Sequence, residues 1–136
     1  MSTSSSSTLE RLEAASHHPP ATIGLSEQRV AEVADFCLIP MGISDTSVSK
    51  YIAECQRVLE KTGLKYQLGS YGTGVEGEFA EVCKAIELCH EAVHKMGCPR
   101  VATDIRIGTR TDKKGSMQDK VDAVRAILDA EKAQKE

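Results

Sequence analysis

The glycine-rich stretch from Gln67 to Glu78 constrains the fold of this chain more than any other segment. It reads Gln-Leu-Gly-Ser-Tyr-Gly-Thr-Gly-Val-Glu-Gly-Glu, with four glycines in twelve residues. Glycines at this density disfavour a helix and permit the tight turns and positive φ angles of a β-hairpin. Because a helix-period segment and a strand-like run lie on either side, the stretch predicts a hairpin at the centre of a β-α-β-β-α-β order.

The remaining elements follow from periodicity. Two segments repeat apolar residues at i, i+3, i+4 and i+7, as amphipathic helices do, and one segment alternates strictly, as a half-buried strand does. Strands are predicted over Val30–Ile39, Leu64–Leu68, Tyr71–Gly77 and Arg100–Gly108. One helix is predicted to end near Thr62, a second to run from about Glu78 to Met96, and a third to run from about Ser116 to the end. The apolar face of the second helix is expected to carry Phe79, Val82, Cys83, Ile86, Cys89, His90 and Val93.

This element order predicts an α+β fold, a ferredoxin-like β-α-β-β-α-β sandwich with an added C-terminal helix. Right-handed crossovers place both main helices on one sheet face, so a ligand or another copy is expected to cover the other face. The unbroken apolar run Phe36-Cys37-Leu38-Ile39 predicts a central first strand that is buried on both faces.

Composition limits the classes of protein to which the chain can belong. Its 136 residues suffice for one domain, expected over residues 29–130 between a disordered Ser/Thr-rich tail, 1–28, and a frayed C-terminus, 131–136. A net charge of −3 and the lack of Trp argue against a nucleic-acid partner. No apolar run approaches the roughly 18 residues of a membrane helix.

The cysteines indicate a reducing compartment. There are five, an odd number, and none forms a Cys-x-x-Cys pair. Since the N-terminus also lacks the apolar core of a secretion signal, reduced thiols and a cytoplasmic location are expected.

The residue patterns that usually carry catalysis or hold a metal are weak here. His90 and His94 are spaced for one helix face, but zinc normally needs a third protein ligand. Cys89 and His90 are helix neighbours about 100° apart, so they cannot act as a nucleophile and its base. The stretch Gly72–Gly77 lacks the Lys-Ser/Thr of a Walker loop. We therefore expect no catalytic residue, no metal and no cofactor.

An organic cation fits the acidic residues better. Glu76, Glu78 and Asp104 lie on the third and fourth strands or their ends, and the first strand is expected between those two. Carboxylates that converge beside an apolar sheet face suit a flat cation, with apolar residues packing its rings. Those ring contacts fall to Phe36 and Leu38, or to Cys37 and Ile39, depending on register. The alternative is that the carboxylates are solvated, or paired with Arg106 and Arg110.

Several short segments, taken together and in this order, resemble the YkoF-like family of small thiamine-binding proteins found in bacteria, archaea and fungi. The similarity covers about Ala31 to Leu128 without large gaps. It rests on Pro40-Met41-Gly42, residues 47–53 and 63–66, Tyr71–Glu78, His90-Glu91-Ala92, residues 100–107, Arg110-Thr111-Asp112 and Lys120-Val121.

The resemblance implies a ferredoxin-like fold, assembly into a homo-dimer or homo-tetramer, and binding of thiamine or its pyrimidine part without known chemistry. One departure is Tyr71, which stands where family members often have Met. The matching positions identify the expected ligand-binding residues as Thr73, Glu76, Glu78, Asp104 and Arg106.

The expected function is therefore reversible, non-catalytic capture of thiamine or a thiamine-like pyrimidine/thiazolium compound by an oligomer. The alternative is a structural or interaction module that has no small-molecule ligand.

Overall fold

The computed structural model describes residues 31–136. The tail predicted over residues 1–28 lies outside the described residues, and the domain boundary proposed at residue 29 stays a prediction.

Seven elements make up the described chain, in the predicted β-α-β-β-α-β order with a helix added at the C-terminus. They are β1 (Ala31–Met41), α1 (Ser49–Thr62), β2 (Lys65–Leu68), β3 (Thr73–Glu78), α2 (Phe79–Lys95), β4 (Arg100–Gly108) and α3 (Met117–Lys135). The predicted fold class is thus confirmed. Residues 131–135 belong to α3, and the fraying expected over 131–136 stays a prediction.

The four strands form one antiparallel sheet in the order β2-β3-β1-β4. The first strand lies between the third and the fourth, as the sequence indicates. It extends two residues beyond Ile39 because Pro40 and Met41 remain paired with β4. Proline fits a strand when its missing N–H would have pointed to an unpaired edge.

The core fills the space between one sheet face and the helices α1 and α2. Phe36 and Leu38 of β1 and Val75 of β3 point into it, against apolar residues spaced three or four apart on both helices. Leu59, on α1, is completely buried. Truncating such a residue to Ala typically costs about 2–5 kcal/mol of stability. The residues buried on the helices are Tyr51, Cys55, Leu59, Val82, Ala85, Ile86, Cys89 and Val93.

Two expectations about burial were wrong. Strand β1 is buried on one face only, since Cys37 is half-buried and Ile39 is 38% exposed. Both main helices pack against the sheet face that carries Phe36 and Leu38. The apolar run alone does not reveal that only this face is covered. Phe79 and Cys83, predicted on the apolar side of α2, are exposed; Ala85 is buried in the core instead.

Helix ends follow their local sequence. Gly63 ends α1 in the left-handed conformation, φ 74°, where its N–H donates to the Glu60 carbonyl. Glycine adopts this conformation without the steric cost that a Cβ brings. Helix α3 begins with a capping box, in which Ser116 and Asp119 each accept from the other's backbone N–H.

Helix α3 starts on the open sheet face, opposite α1 and α2. The Met117 N–H donates to Glu76 Oε1 at 2.5 Å. A Cβ at Gly74 would meet the Met117 sulfur, so glycine allows the helix to approach β3 closely. No residue of α3 is buried, and its apolar stripe of Val121, Val124, Ile127 and Leu128 is 40–61% exposed. Within residues 31–136, no helix has the length and apolarity that crossing a membrane requires.

Candidate functional site

The loop of the β2–β3 hairpin stops short of the end of β1. It comprises Gly69–Gly72 and closes with a hydrogen bond from the Gly69 N–H to the Gly72 carbonyl at 2.8 Å. Thr73, the first residue of β3, is opposite Phe36. Strand β1 therefore runs five residues beyond Phe36, its last residue paired with β3. Among the described strands, only β4 pairs with those five residues.

Two cavities lie beside this loop. The larger, here called the open-face cavity, has a volume of about 570 Å³ and lies on the sheet face that α1 and α2 leave uncovered. A volume in this range is typical of small-molecule sites. Its polar and apolar walls include Asp35, Gln67, Gly74, Arg106, Met117 and Lys120.

The smaller cavity, here called the hairpin cavity, has a volume of about 260 Å³. It lies next to Thr73, the first residue of β3. Its walls come from the part of β1 that β3 does not pair with, the start of α1 and the hairpin loop. The two cavities share Leu68, Gly69 and Gly72 as walls. Its walls include Leu38, Pro40, Val48, Ile52, Tyr71 and Thr73.

Asp35 places a carboxylate where the two cavities meet. Its side chain is exposed on the open face, and its oxygen Oδ1 occupies the space that a Cβ at Gly72 would take. Gly72 is thus required for the carboxylate to lie against the hairpin. Sequence reasoning missed Asp35; the signal was an acid directly before the apolar run Phe36–Ile39 of the first strand.

Two of the five predicted site residues line these cavities. Arg106 lines the open-face cavity, directly opposite Asp35 in the sheet register. Thr73 lines the hairpin cavity, is 4% exposed, and accepts a hydrogen bond from Gln56 Nε2 at 3.0 Å. Because a hydroxyl both donates and accepts, the Thr73 proton stays available to an acceptor in that cavity.

The other three line neither cavity, and the expected convergence of carboxylates is not found. Asp104 is opposite Cys37 and Glu76 is opposite Val33, four residues away along β1. At about 3.4 Å per residue the separation is at least roughly 14 Å. Glu76 instead anchors α3 through the Met117 N–H, and Glu78 lies at the boundary between β3 and α2. Their ligand roles remain predictions.

The histidines of α2 are tied to the structure on the helix-covered side of the sheet. His90 Nε2 is 2.6 Å from Thr103 Oγ1, and His94 Nδ1 is 2.9 Å from the Cys98 carbonyl oxygen. Burial lowers the pKa of His90, and the nearby His94 lowers it further. Within residues 31–136, no three His, Cys, Asp or Glu side chains are grouped to hold a metal ion.

All five cysteines lie in the described part of the chain and are free thiols. Cys55 and Cys89 face each other in the α1–α2 interface, where the Cys89 thiol donates to the Cys55 carbonyl at 3.8 Å. The hydrogen bond to Cys55 and burial raise the pKa of Cys89. A buried, protonated thiol behaves as a small apolar side chain, so this pair belongs to the core.

A third cavity, of about 510 Å³, is a groove between α1 and α2 on their outer surface. It is lined by Glu54, Lys61, Glu91 and Lys95 above apolar residues such as Val58. None of the predicted site residues lines it, and the sheet separates it from the open-face cavity.

The chain is similar in sequence and in fold to known proteins. A UPF0045 protein of Synechocystis sp. is 44% identical over 97 residues, which cover 71% of this chain and 79% of that protein. The crystal structure of a hypothetical protein of Methanocaldococcus jannaschii superposes with a TM-score of 0.64 at 33% identity, covering 69% of this chain and 95% of that one.

A Thermotoga maritima protein, provisionally assigned to thiamine biosynthesis or salvage, shares the fold. Its TM-score is 0.59 at 19% identity, and the match covers 69% of this chain and 98% of that one. The sequence profile of the thiamine-binding protein family matches residues 34–125, which include β1 from Ala34, the hairpin, the walls of both cavities apart from Val33, and the start of α3. The chain therefore belongs to the thiamine-binding protein family.

Proposed function

We propose that this protein binds thiamine or a thiamine-like pyrimidine/thiazolium compound, without transforming it, at the two cavities beside the hairpin loop. The observation that carries the proposal is the Asp35 carboxylate, seated against Gly72 where the cavities meet. Family membership supports the ligand class, and the Thermotoga maritima relative has been linked to the same vitamin.

The chemistry of the walls suits such a ligand. Thiamine has a permanently charged thiazolium ring joined to an aminopyrimidine, and a carboxylate beside the ring offsets the charge. Met117 and Val121 supply apolar surface for ring faces in the open-face cavity, and Val48 and Ile52 supply it in the hairpin cavity. The cationic groups of Arg106 and Lys120 also line the open-face cavity, so a phosphorylated ligand is part of the test.

We propose further that the protein works as a homo-dimer or homo-tetramer in the cytoplasm. The exposed apolar stripe of α3 and the partly open sheet face support a second copy as the partner. The five free thiols are compatible with a reducing compartment. The same stripe also favours the alternative function, an interaction module in which assembly alone is the activity.

Isothermal titration calorimetry tests the ligand. Purified full-length protein is titrated separately with thiamine, its hydroxymethyl-pyrimidine fragment and thiamine diphosphate. Saturable heat with thiamine, at one ligand per chain or per two chains, supports the proposal. If none of the three compounds produces heat or shifts the melting temperature, the ligand proposal is wrong and the interaction module is favoured.

A further inference from the structure

We propose that the unpaired edge of β1 at Leu38 recognises the pyrimidine half of the ligand, pairing with its ring as an added strand would pair with backbone. The inference rests on the proposed function and assigns a place to one part of the ligand. The other part, the cationic ring, then lies towards Asp35.

The direction of the Leu38 backbone groups follows from its neighbour. The carbonyl oxygen of Phe36 points towards the hairpin, because it lies 3.1 Å from where a Cβ on Gly72 would be. In a strand the N–H and C=O of one residue point to the same side, and those of the residue two further on point there too. The N–H and C=O of Leu38 therefore also face the hairpin side, away from β4.

No strand meets them there among residues 31–136. Strand β3 begins at Thr73, opposite Phe36, and the hairpin loop precedes it. Among the described residues, no hydrogen bond joins the N–H or the C=O of Leu38 to a partner on that side. Leu38 is nevertheless only 3% exposed and lines the hairpin cavity.

Buried backbone donors and acceptors are nearly always paired, since an unpaired one destabilises the folded protein. A donor and an acceptor on one residue, turned into a cavity, are therefore suited to a ligand that carries the complementary pair. Pro40, the next residue turned to this side, has no N–H to offer. The paired donor and acceptor are thus confined to Leu38.

An aminopyrimidine carries that complement. Its ring nitrogen accepts a hydrogen bond and the adjacent exocyclic amine donates one, so the Leu38 N–H would donate to the ring and its carbonyl would accept from the amine. Val48 and Ile52 provide apolar walls for a flat ring, and Thr73 provides a second polar contact. The volume of about 260 Å³ suits one ring rather than the whole vitamin.

The Leu38 amide can be observed alone. Cys37-Leu38 is the single Cys-Leu step in the sequence, so protein labelled with carbonyl-13C cysteine and 15N leucine gives one HNCO peak, from Leu38. Adding thiamine or the hydroxymethyl-pyrimidine fragment is expected to shift this peak and slow its hydrogen exchange at least fivefold. Adding the thiazole fragment alone is expected to leave it unchanged.

A ligand variant tests the hydrogen-bond pattern. Oxythiamine carries a carbonyl in place of the 4′-amine, which turns the donor into an acceptor and places it against the Leu38 carbonyl. We expect it to bind at least tenfold more weakly than thiamine. Saturable thiamine binding with an unmoved Leu38 peak, or with equal affinity for oxythiamine, overturns the inference while the proposed function stands. Absence of any thiamine binding instead overturns the proposed function.

A protein variant tests the cavity. Val48 is 40% exposed and lines only the hairpin cavity, so Val48→Trp fills that space and is expected to abolish binding of the pyrimidine fragment. Thr46→Trp, in the same loop but lining neither cavity, is the matched control and should bind normally. Equal fragment affinity in both folded variants contradicts the assignment. The unmodified protein in the HNCO experiment decides the question if Val48→Trp does not fold.

Discussion

A single pair of residues shows how the site depends on contacts that are distant in sequence. Asp35 and Gly72 are separated by the whole of α1 and β2, and the carboxylate fits because Gly72 has no side chain. Motif reasoning found the glycine and missed the acid. It also selected Glu76 and Asp104, because strand order was predictable whereas the register that separates them was not.

At the scale of this residue, we expect Asp35→Asn to weaken thiamine binding about tenfold, or about 1.4 kcal/mol. The amide keeps the size and polarity of the side chain but removes the charge that faces the thiazolium. Titration calorimetry measures the change, and Asp129→Asn on exposed α3 is the neutral control. If Asp104→Asn loses affinity instead and Asp35→Asn does not, the cation lies nearer β4 than proposed.

The second residue-scale prediction concerns His90 and acid stability. Burial lowers its pKa in the folded protein, below the value of about 6.5 expected in the unfolded chain. Between the folded pKa and about pH 6.5, the unfolded state therefore binds more protons than the folded state. The contribution of His90 to stability is full above about pH 6.5 and is lost as the pH falls through the lower, folded pKa.

Urea unfolding between pH 7.5 and pH 5 measures this effect. The wild-type free energy of unfolding should fall with pH, and His90→Gln should show a shallower fall because it cannot titrate. His94→Gln is the comparison, since His94 lies one turn further along the same helix and is exposed. Parallel pH curves for the wild type and His90→Gln would contradict the assignment.

At the scale of elements, the first turn of α3 joins the C-terminal helix to the open sheet face. The contact has two parts: the Met117 N–H donates to Glu76 Oε1, and the Met117 side chain lies over Gly74. Met117 also lines the open-face cavity. Glu76 can thus influence a ligand either through its charge or by holding this helix in place.

Two substitutions separate these roles. Glu76→Gln retains an oxygen that can accept from Met117 but removes the charge, and we expect thiamine affinity to fall roughly tenfold without unfolding. Glu76→Ala removes both, and hydrogen exchange in the first turn of α3 should also accelerate. Affinity that is normal in the Gln variant and reduced only in the Ala variant would identify Glu76 as an anchor for α3 rather than a charge partner.

The elements themselves were largely predictable because each has a local cause. The apolar repeat of α1, the strict alternation of β4 and the glycines of the hairpin determine their own conformations, and the predicted β4 has the observed bounds. Burial was less predictable. The run Phe36–Ile39 looks the same whether its second face meets a helix, another copy or water, so the sequence did not reveal that Ile39 is exposed.

At the scale of the whole molecule, α3 presents an apolar stripe without a partner in the described chain. Val124 and Ile127 are 57% and 61% exposed. A stripe of this kind on an amphipathic helix is typical of an interface between copies. We therefore expect light scattering coupled to size exclusion to give a mass of two or four times the 14.7 kDa chain.

Ile127→Glu should lower that mass, because a charge buried in an apolar interface is costly. Ala126→Glu, also exposed and on the same helix but on the face opposite the stripe, is the control for the added charge. A wild-type protein that elutes as a monomer at micromolar concentration would count against assembly through α3. Loss of thiamine binding together with the mass would show that the ligand site needs the assembled form.

The proline near the end of β1 also bears on how such a protein avoids aggregation. An unpaired strand edge is a template on which another chain can add, which is the first step towards fibres. Here that edge is short, and Pro40 cannot donate the hydrogen bond that a growing sheet requires. A strand of another molecule could pair with the N–H and C=O of Leu38, but Pro40, the next residue on that side, offers no donor. The edge of β1 therefore offers enough hydrogen-bonding groups to bind a ring, but too few to add a strand.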